Sequence, residues 1–204
     1  FNAWSVEGGN PPDHLPTVAF TRMLAGPIDF TPGIFNMKLA PYKEESQINT
    51  TLAHQLALYV VIYSPVQMAA DLPEHYEDHP AFEFIREVGV DWEQSKVLNG
   101  EVGDYVTIAR QERGTDRWFL GSITDEQERS LEASLDFLPA GANYKATIYR
   151  DGEGAHWDEN PSAFLIESFL VDRSTTLKLD LAPGGGTAVT LEPATAEDEE
   201  RLQT

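Results

Sequence analysis

Near Lys96 the hydrophobic period of the chain shifts from helical to two, and this shift constrains the fold more than any other feature. Beyond it, Leu131, Ala133, Leu135 and Phe137 alternate with Glu132, Ser134 and Asp136, and Leu177, Leu179 and Leu181 with Lys178 and Asp180. Strands are predicted over Lys96–Asn99, Tyr105–Gln111, Trp118–Thr124, Ser130–Phe137, Tyr144–Asp151, Phe164–Val171, Thr175–Leu181 and Ala188–Glu192. Turn chemistry separates several of them: Arg113-Gly114-Thr115-Asp116, Pro139-Ala140-Gly141, Asp151-Gly152-Glu153-Gly154 and Pro183-Gly184-Gly185-Gly186. So many short strands at this spacing predict an antiparallel β-sandwich.

Before Lys96 the reading is different. Pro16–Ala25 is predicted as a helix, stopped by Gly26-Pro27, because proline cannot continue a helix and glycine relieves its end. A short strand is expected at Ile28–Phe30, then a Thr31-Pro32-Gly33 turn and a long polar loop to Ile48. Thr50 and Thr51 cap the next helix, in which Leu52, Leu56, Tyr59, Val60 and Tyr63 recur at helical spacing. LYVVIY alone would also suit a buried strand; Ala53, Gln55 and Ala57 extend the segment and favour helix. Ser64-Pro65 breaks it, Val66–Leu72 could resume it, and Pro80–Val88 is another short helix. Helix, strand, loop, helix is the rhythm of a (β/α) barrel, and a lone βα unit cannot close one. The chain therefore reads as the tail of something larger, of α+β, multi-domain class. Residues 1–94 would be the C-terminal part of a (β/α)8 barrel, 95–193 an antiparallel β-sandwich, and 194–204 an acidic tail.

Composition excludes several functions. The 204 residues carry 34 Asp and Glu against 14 Lys and Arg, a net charge of −20 distributed over both halves and the tail. Such a surface repels phosphate backbones and anionic lipid, which argues against nucleic-acid and membrane-surface partners. Without cysteine there is no disulfide, thiolate metal site or cysteine nucleophile in this sequence. Its longest apolar run, Leu56–Tyr63, falls far short of the roughly 18 residues that a membrane span needs. The opening Phe1-Asn2-Ala3-Trp4 has no basic n-region, so any targeting segment is expected upstream.

Five runs in order, NAWS with GNPPDH, FTRMLAGPIDFTPGIF, TTLAHQLALYVVIYSPVQMAADLPEHY, GDYVTIARQERGTDRWFLGSITDE and LAPGGGTAV, resemble the C-terminal third of glycoside hydrolase family 97. The resemblance covers Phe1 to about Pro193. It implies a parent with an N-terminal β-supersandwich, a catalytic (β/α)8 barrel and a C-terminal β-sandwich, acting on α-glucosides or α-galactosides with a calcium ion in its active site. It also implies that the acid glutamate, the base or nucleophile carboxylate and the calcium ligands all lie upstream of Phe1. No catalytic or metal-binding residue is then expected here, and the chain alone is expected to be inactive. The implied partners are an α-linked oligosaccharide and the missing N-terminal part of the parent; the implied location is periplasmic or secreted. In such a parent, two carboxylates flank the glycosidic bond and their separation decides inversion or retention.

Candidate sugar contacts are Glu7, Asp13 and His14 in the opening loop, and Asp29 at the end of the predicted strand, where barrels keep their chemistry. Each has a plainer reading: a solvated proline-rich loop for the first three, a turn cap for Asp29. Arg22 is expected to pair with a carboxylate in the barrel wall and His54 to be a satisfied, partly buried histidine. His75 and His79, at i and i+4 but flanked by Pro73 and Pro80, read as a solvated turn and not as a zinc helix. Asn49-Thr50-Thr51 matches a glycosylation sequon, though its threonines serve more simply as caps. Gly184-Gly185-Gly186, with no helix after it, is a hairpin turn and not a phosphate cradle. Trp118, Tyr149 and Trp157 would have to form an exposed strip if the sandwich were a non-catalytic carbohydrate-binding module; packing is the default for such rings. In a third reading, a purely structural piece, Leu52–Tyr63 would expose a large apolar patch.

Overall fold

A computed structural model describes residues 9–43 and 46–202. Eight strands form two antiparallel sheets. They are β1 (Trp92–Glu101), β2 (Tyr105–Glu112), β3 (Trp118–Thr124), β4 (Arg129–Ser134), β5 (Tyr144–Asp151), β6 (Phe164–Val171), β7 (Thr176–Leu181) and β8 (Gly186–Pro193). Six of them pair in the order β1-β2-β3-β8-β5-β6, and β4 pairs with β7 as a separate ribbon.

The ribbon covers one face of the large sheet. Ala133, Leu135, Leu177, Leu179 and Leu181 meet Trp118, Leu120, Tyr144, Ile148, Val189 and Leu191 in one buried cluster. The opposite face is covered by α2 (Leu52–Val61), all ten of whose residues are buried. Leu56, Tyr59 and Val60 share a cluster there with Phe119, Ile123, Tyr149 and Ala188. The central strand β3 is thus buried along its whole length. The large apolar patch imagined for Leu52–Tyr63 does not exist, because the chain itself covers α2.

Small residues let that helix lie close. A Cβ on Gly121 would sit 2.6 Å from the Ala57 carbonyl oxygen, and one on Gly186 would sit 2.6 Å from the Cα of His54. Gly121 pairs with Ala188 across β3 and β8, so Gly121, Ala188 and Gly186 make a shallow track under the helix. The C-terminal end of α2 is capped by Arg110 on β2, whose Nε donates to the Val60 carbonyl at 2.6 Å and Nη2 to the Val61 carbonyl at 3.4 Å. This is a buried cation placed at the negative end of a helix dipole. Burial pushes it down to about 10, so it stays protonated at neutral pH.

The two edges of the large sheet differ. β1 has two register shifts, at Trp92/Gln94 and Val97/Asn99, and a largely exposed polar surface. β6 pairs with β5 without a shift from Tyr144↔Val171 to Asp151↔Phe164.

Outside the sandwich several expectations change. The helix predicted over Pro16–Ala25 is α1 (His14–Phe20) followed by a 3-10 turn over Arg22–Ala25. Thr17 and Thr21 donate their hydroxyls to the carbonyls four residues back, Asp13 and Thr17, and the backbone departs from helix at Thr21 (ψ −79°). The strand expected at Ile28–Phe30 is a single parallel bridge, Phe30↔Gln67. No helix resumes over Val66–Leu72; α3 (Pro73–Tyr76) and α4 (Phe82–Glu87) follow instead. Among the described residues there is no closed barrel. The last residues form a short helix, α5 (Ala196–Arg201), with a Thr195/Asp198 capping box.

Candidate functional site

The Phe30↔Gln67 bridge flanks α2 on both sides in sequence, giving an extended–helix–extended unit whose extended parts run parallel. The loops leaving the bridge, after Phe30 and after Gln67, are bound to each other by one carboxylate. Asp71 Oδ2 accepts the amides of Phe35 and Asn36, both at 2.7 Å. Its Oδ1 accepts the Leu72 amide at 2.8 Å and His75 Nδ1 at 2.5 Å. Burial would raise the Asp71 carboxyl, but the Asn36 amide, the His75 ring and the Leu72 and Phe35 amides hold it below the usual carboxylate range. Because a carboxylate only accepts, His75 Nδ1 carries a proton and Nε2 is presented on the other side of the ring.

Two phenols brace the same loops. Tyr59 Oη, from α2, contacts the Met68 carbonyl at 2.9 Å and the Pro32 carbonyl at 3.1 Å. Tyr76 Oη donates to the Gly33 carbonyl at 2.6 Å and accepts the Asp71 amide at 2.9 Å. Burial pushes Tyr76 up to about 12 and Tyr59 higher still, so both hydroxyls keep their protons. Gly33 (φ +91°) has no room for a side chain, since a Cβ would lie 2.3 Å from Tyr59 Oη. Between the loops is an open cleft of about 320 Å³, lined by Asn36, Tyr42, Lys43, Asp71, Leu72 and His75 among others.

The sandwich holds this region from outside. Lys38 donates to the Asp158 carbonyl, and Gln47 Nε2 to Asp158 Oδ1 at 2.8 Å, so the β5–β6 loop grips the loop after Phe30. His79 lies between Phe35 (4.6 Å between ring centroids) and Phe164 at the start of β6 (5.2 Å). The solvated-turn reading of His75 and His79 is therefore overturned. Each ring has a specific partner.

A second polar hub joins the start of α2 to the sandwich. Thr51 caps the helix, accepting the His54 amide at 3.2 Å. Asp151, the last residue of β5, accepts Thr51 Oγ1 at 2.6 Å and the Ala182 and Gly186 amides at 2.9 Å each. His54 Nδ1 lies 3.1 Å from both the Gly184 and the Gly185 carbonyl oxygens, which makes it the protonated nitrogen. Nε2 of the same ring is buried without a partner, so His54 is fully buried and half satisfied, not partly buried and satisfied. Burial pushes Asp151 up to about 6 and His54 down to about 4.

The residues predicted to touch sugar are not brought together. Glu7 lies outside the described residues. Asp13 is the exposed residue before α1, His14 begins that helix, and Asp29 is exposed beside the bridge. No hydrogen bond or ion pair among the described residues links them. Arg22 donates to the Gly26 carbonyl at 3.3 Å, and among the described residues it forms no ion pair with a carboxylate. Asn49 is buried and donates to the Asn10 carbonyl at 2.9 Å, consistent with a packed helix start. Among the described residues, the rings named for an exposed aromatic strip do not form one: Trp118 and Tyr149 are in the core, and Trp157 packs over Gly184.

Comparison with known proteins settles the family. The model for the glycosyl-hydrolase 97 C-terminal region, described as an oligomerisation region, matches residues 91–192, which is half of the chain. The chain belongs to glycoside hydrolase family 97. A retaining α-galactosidase of Bacteroides thetaiotaomicron is 36% identical over 191 residues, covering 91% of this family 97 chain and 28% of that relative. A family 97 enzyme of a Pseudoalteromonas species, solved in complex with panose and with acarbose, is 50% identical with a TM-score of 0.90. That match covers 96% of this chain and 30% of the other. A β-arabinopyranosidase structure, 23% identical with a TM-score of 0.70, shares the fold. The chain thus spans under a third of the length of the family 97 relatives named here. The described residues offer no group of three or more His, Asp or Glu side chains able to hold a metal ion. No helix among them is long and apolar enough to cross a membrane.

Proposed function

We propose that this chain is the C-terminal part of a family 97 enzyme that hydrolyses α-linked glycosides, and that residues 9–91 complete its catalytic barrel. The parallel Phe30↔Gln67 bridge with α2 between its two sides supports this reading most directly, because β-helix-β with parallel strands is the repeating unit of such a barrel. The remaining strands, the two catalytic carboxylates and the calcium site belong, in this proposal, to the upstream part. Calcium would be held there by oxygen ligands and would help to position the substrate.

In this frame the loops after Phe30 and Gln67 lie at the C-terminal face of the barrel, where substrate binds. His75, aimed by Asp71, and the side chains of Asn36 and Tyr42 would contact an α-linked oligosaccharide entering the cleft; Asp13, His14 and Asp29 are proposed as further contacts, with Glu7. The 50% identical relative binds panose and acarbose, which favours α-glucosides over α-galactosides as the substrate class. A periplasmic or secreted location suits an enzyme of this class.

The test is a pair of assays. The full-length protein should hydrolyse aryl α-glucosides faster than aryl α-galactosides and lose activity to a calcium chelator, while the 204-residue chain alone should show no turnover. Hydrolysis by the isolated chain, or no glycosidase activity from the full-length protein, would overturn the reading.

A further inference from the structure

We infer that the free edge of β6 pairs antiparallel with β6 of a second copy of this chain, with Ser168 on the two-fold axis. The family description names oligomerisation for residues 91–192 but no surface, and the inference uses it only to choose the occupant. It does not depend on the hydrolytic reading.

Of the two edges of the large sheet, only one is protected. β1 is bulged twice and mostly polar, as edge strands are when they must avoid partners. β6 runs eight residues without a register shift, with Leu165 and Ile166 46% and 38% exposed. A long, regular, apolar edge is what a soluble protein leaves when another strand covers it.

The pairing of β6 with β5 fixes which backbone groups are on offer. The Gly152 amide donates to the Ala163 carbonyl, so the alternation of an antiparallel ladder turns residues 165, 167, 169 and 171 toward β5. Phe164, Ile166, Ser168 and Leu170 then direct their N–H and C=O groups outward. A two-fold pairing must match these residues with one another. Two such registers retain most of the strand. Centring on Glu167 places it opposite the partner's Glu167, and like charges directly opposite are unfavourable. Centring on Ser168 places Ile166 opposite the partner's Leu170 and Glu167 opposite the partner's Phe169. In that register Glu167 keeps its own counter-ion, Arg150, whose Nε is 2.6 Å away. The second register is the one proposed.

The site is also joined to the loops described above, because Phe164 begins β6 and stacks on His79.

Sedimentation velocity and amide hydrogen exchange on the full-length protein test the inference. The wild type should be a dimer whose Ile166, Ser168 and Leu170 amides exchange slowly. Ser168→Pro removes an outward N–H while leaving the β5 ladder its donors, and Ile166→Lys places a charge on the edge. Each should weaken the dimer by about tenfold or more, with far-UV circular dichroism unchanged for Ile166→Lys even if the proline variant misfolds. Val97→Lys on the opposite edge should leave the dimer intact. A monomeric wild type, a dimer that survives Ile166→Lys, dissociation by Val97→Lys, or fast exchange at the three amides would each overturn the proposal.

Discussion

The hydroxyl of Thr51 donates to the Asp151 carboxylate at 2.6 Å, joining the residue that caps α2 to the last residue of β5. Asp151 is 5% exposed, and its other oxygen holds two backbone amides of the β7–β8 turn. Asp151→Ala would leave those three donors buried without an acceptor. It should cost about 3–5 kcal/mol in a urea titration of the chain.

The same hub has a characteristic pH response. Asp151 titrates near 6 in the fold against an ordinary 3.8, so between those values the native state retains a proton that the unfolded chain has lost. Its contribution to stability falls as pH rises through that window. His54 titrates near 4 against an ordinary 6.5, so there the unfolded chain holds the extra proton and stability rises with pH. The two trends oppose one another over about pH 4–6. Asp151→Asn should therefore make the midpoint of thermal unfolding rise from pH 4 to pH 6, and His54→Gln should make it fall. Parallel trends in the two variants would contradict this account.

Gly121→Ala should destabilise the chain by about 1–3 kcal/mol, because the new methyl meets the backbone of α2 and not a movable side chain. Gly114→Ala is a useful contrast. Its Cβ meets nothing within 4 Å, and only its positive φ (+76°) opposes the change, so it should cost about 1 kcal/mol. Thermal melts of both variants separate loss of helix seating from backbone strain.

Arg110→Met keeps the length of the side chain and removes the donors to Val60 and Val61. A loss of about 1–3 kcal/mol is expected, with faster exchange of amides in the last turn of α2.

His75→Asn in the full-length protein should raise KM for oligosaccharide substrates several-fold with little change in kcat, since binding made equally in ground and transition states is lost in KM alone. Asp71→Asn should reproduce the effect and also loosen the Phe35 and Asn36 amides.

Much of the sandwich was legible. β3, β5 and β6 have the limits that alternation and flanking turns predict, because both signals are local. β1 begins four residues before its prediction: after the buried Trp92 the strand is bulged and exposed through Ser95, and such an edge has no continuous buried face to impose alternation. The Ile28–Phe30 strand was read too strongly from apolar content, since a strand is made by its neighbours, and this segment makes a single bridge to Gln67 and one hydrogen bond from the Ile28 amide to the Tyr63 carbonyl. The two hubs were legible hardly at all. Asp151 looks like the first residue of a turn, yet its partners are 31, 35 and 100 positions away. Asp71 had one local clue, His75 four residues on, but its grip on Phe35 and Asn36 crosses 35 positions or more.

The glycine and alanine track beneath α2 has a mechanical consequence. Where Ala57 and His54 rest on Gly121 and Gly186, no side chain separates helix from sheet, and the helix has little compliance there: it cannot slide by a few tenths of an ångström without collision. Tyr59 projects from that helix to fix the carbonyls of Pro32 and Met68. The sandwich therefore acts as a datum surface. The loops bordering the cleft take their position from the β-sheet, and a change deep in that sheet would be felt as misalignment of the cleft proposed to bind sugar.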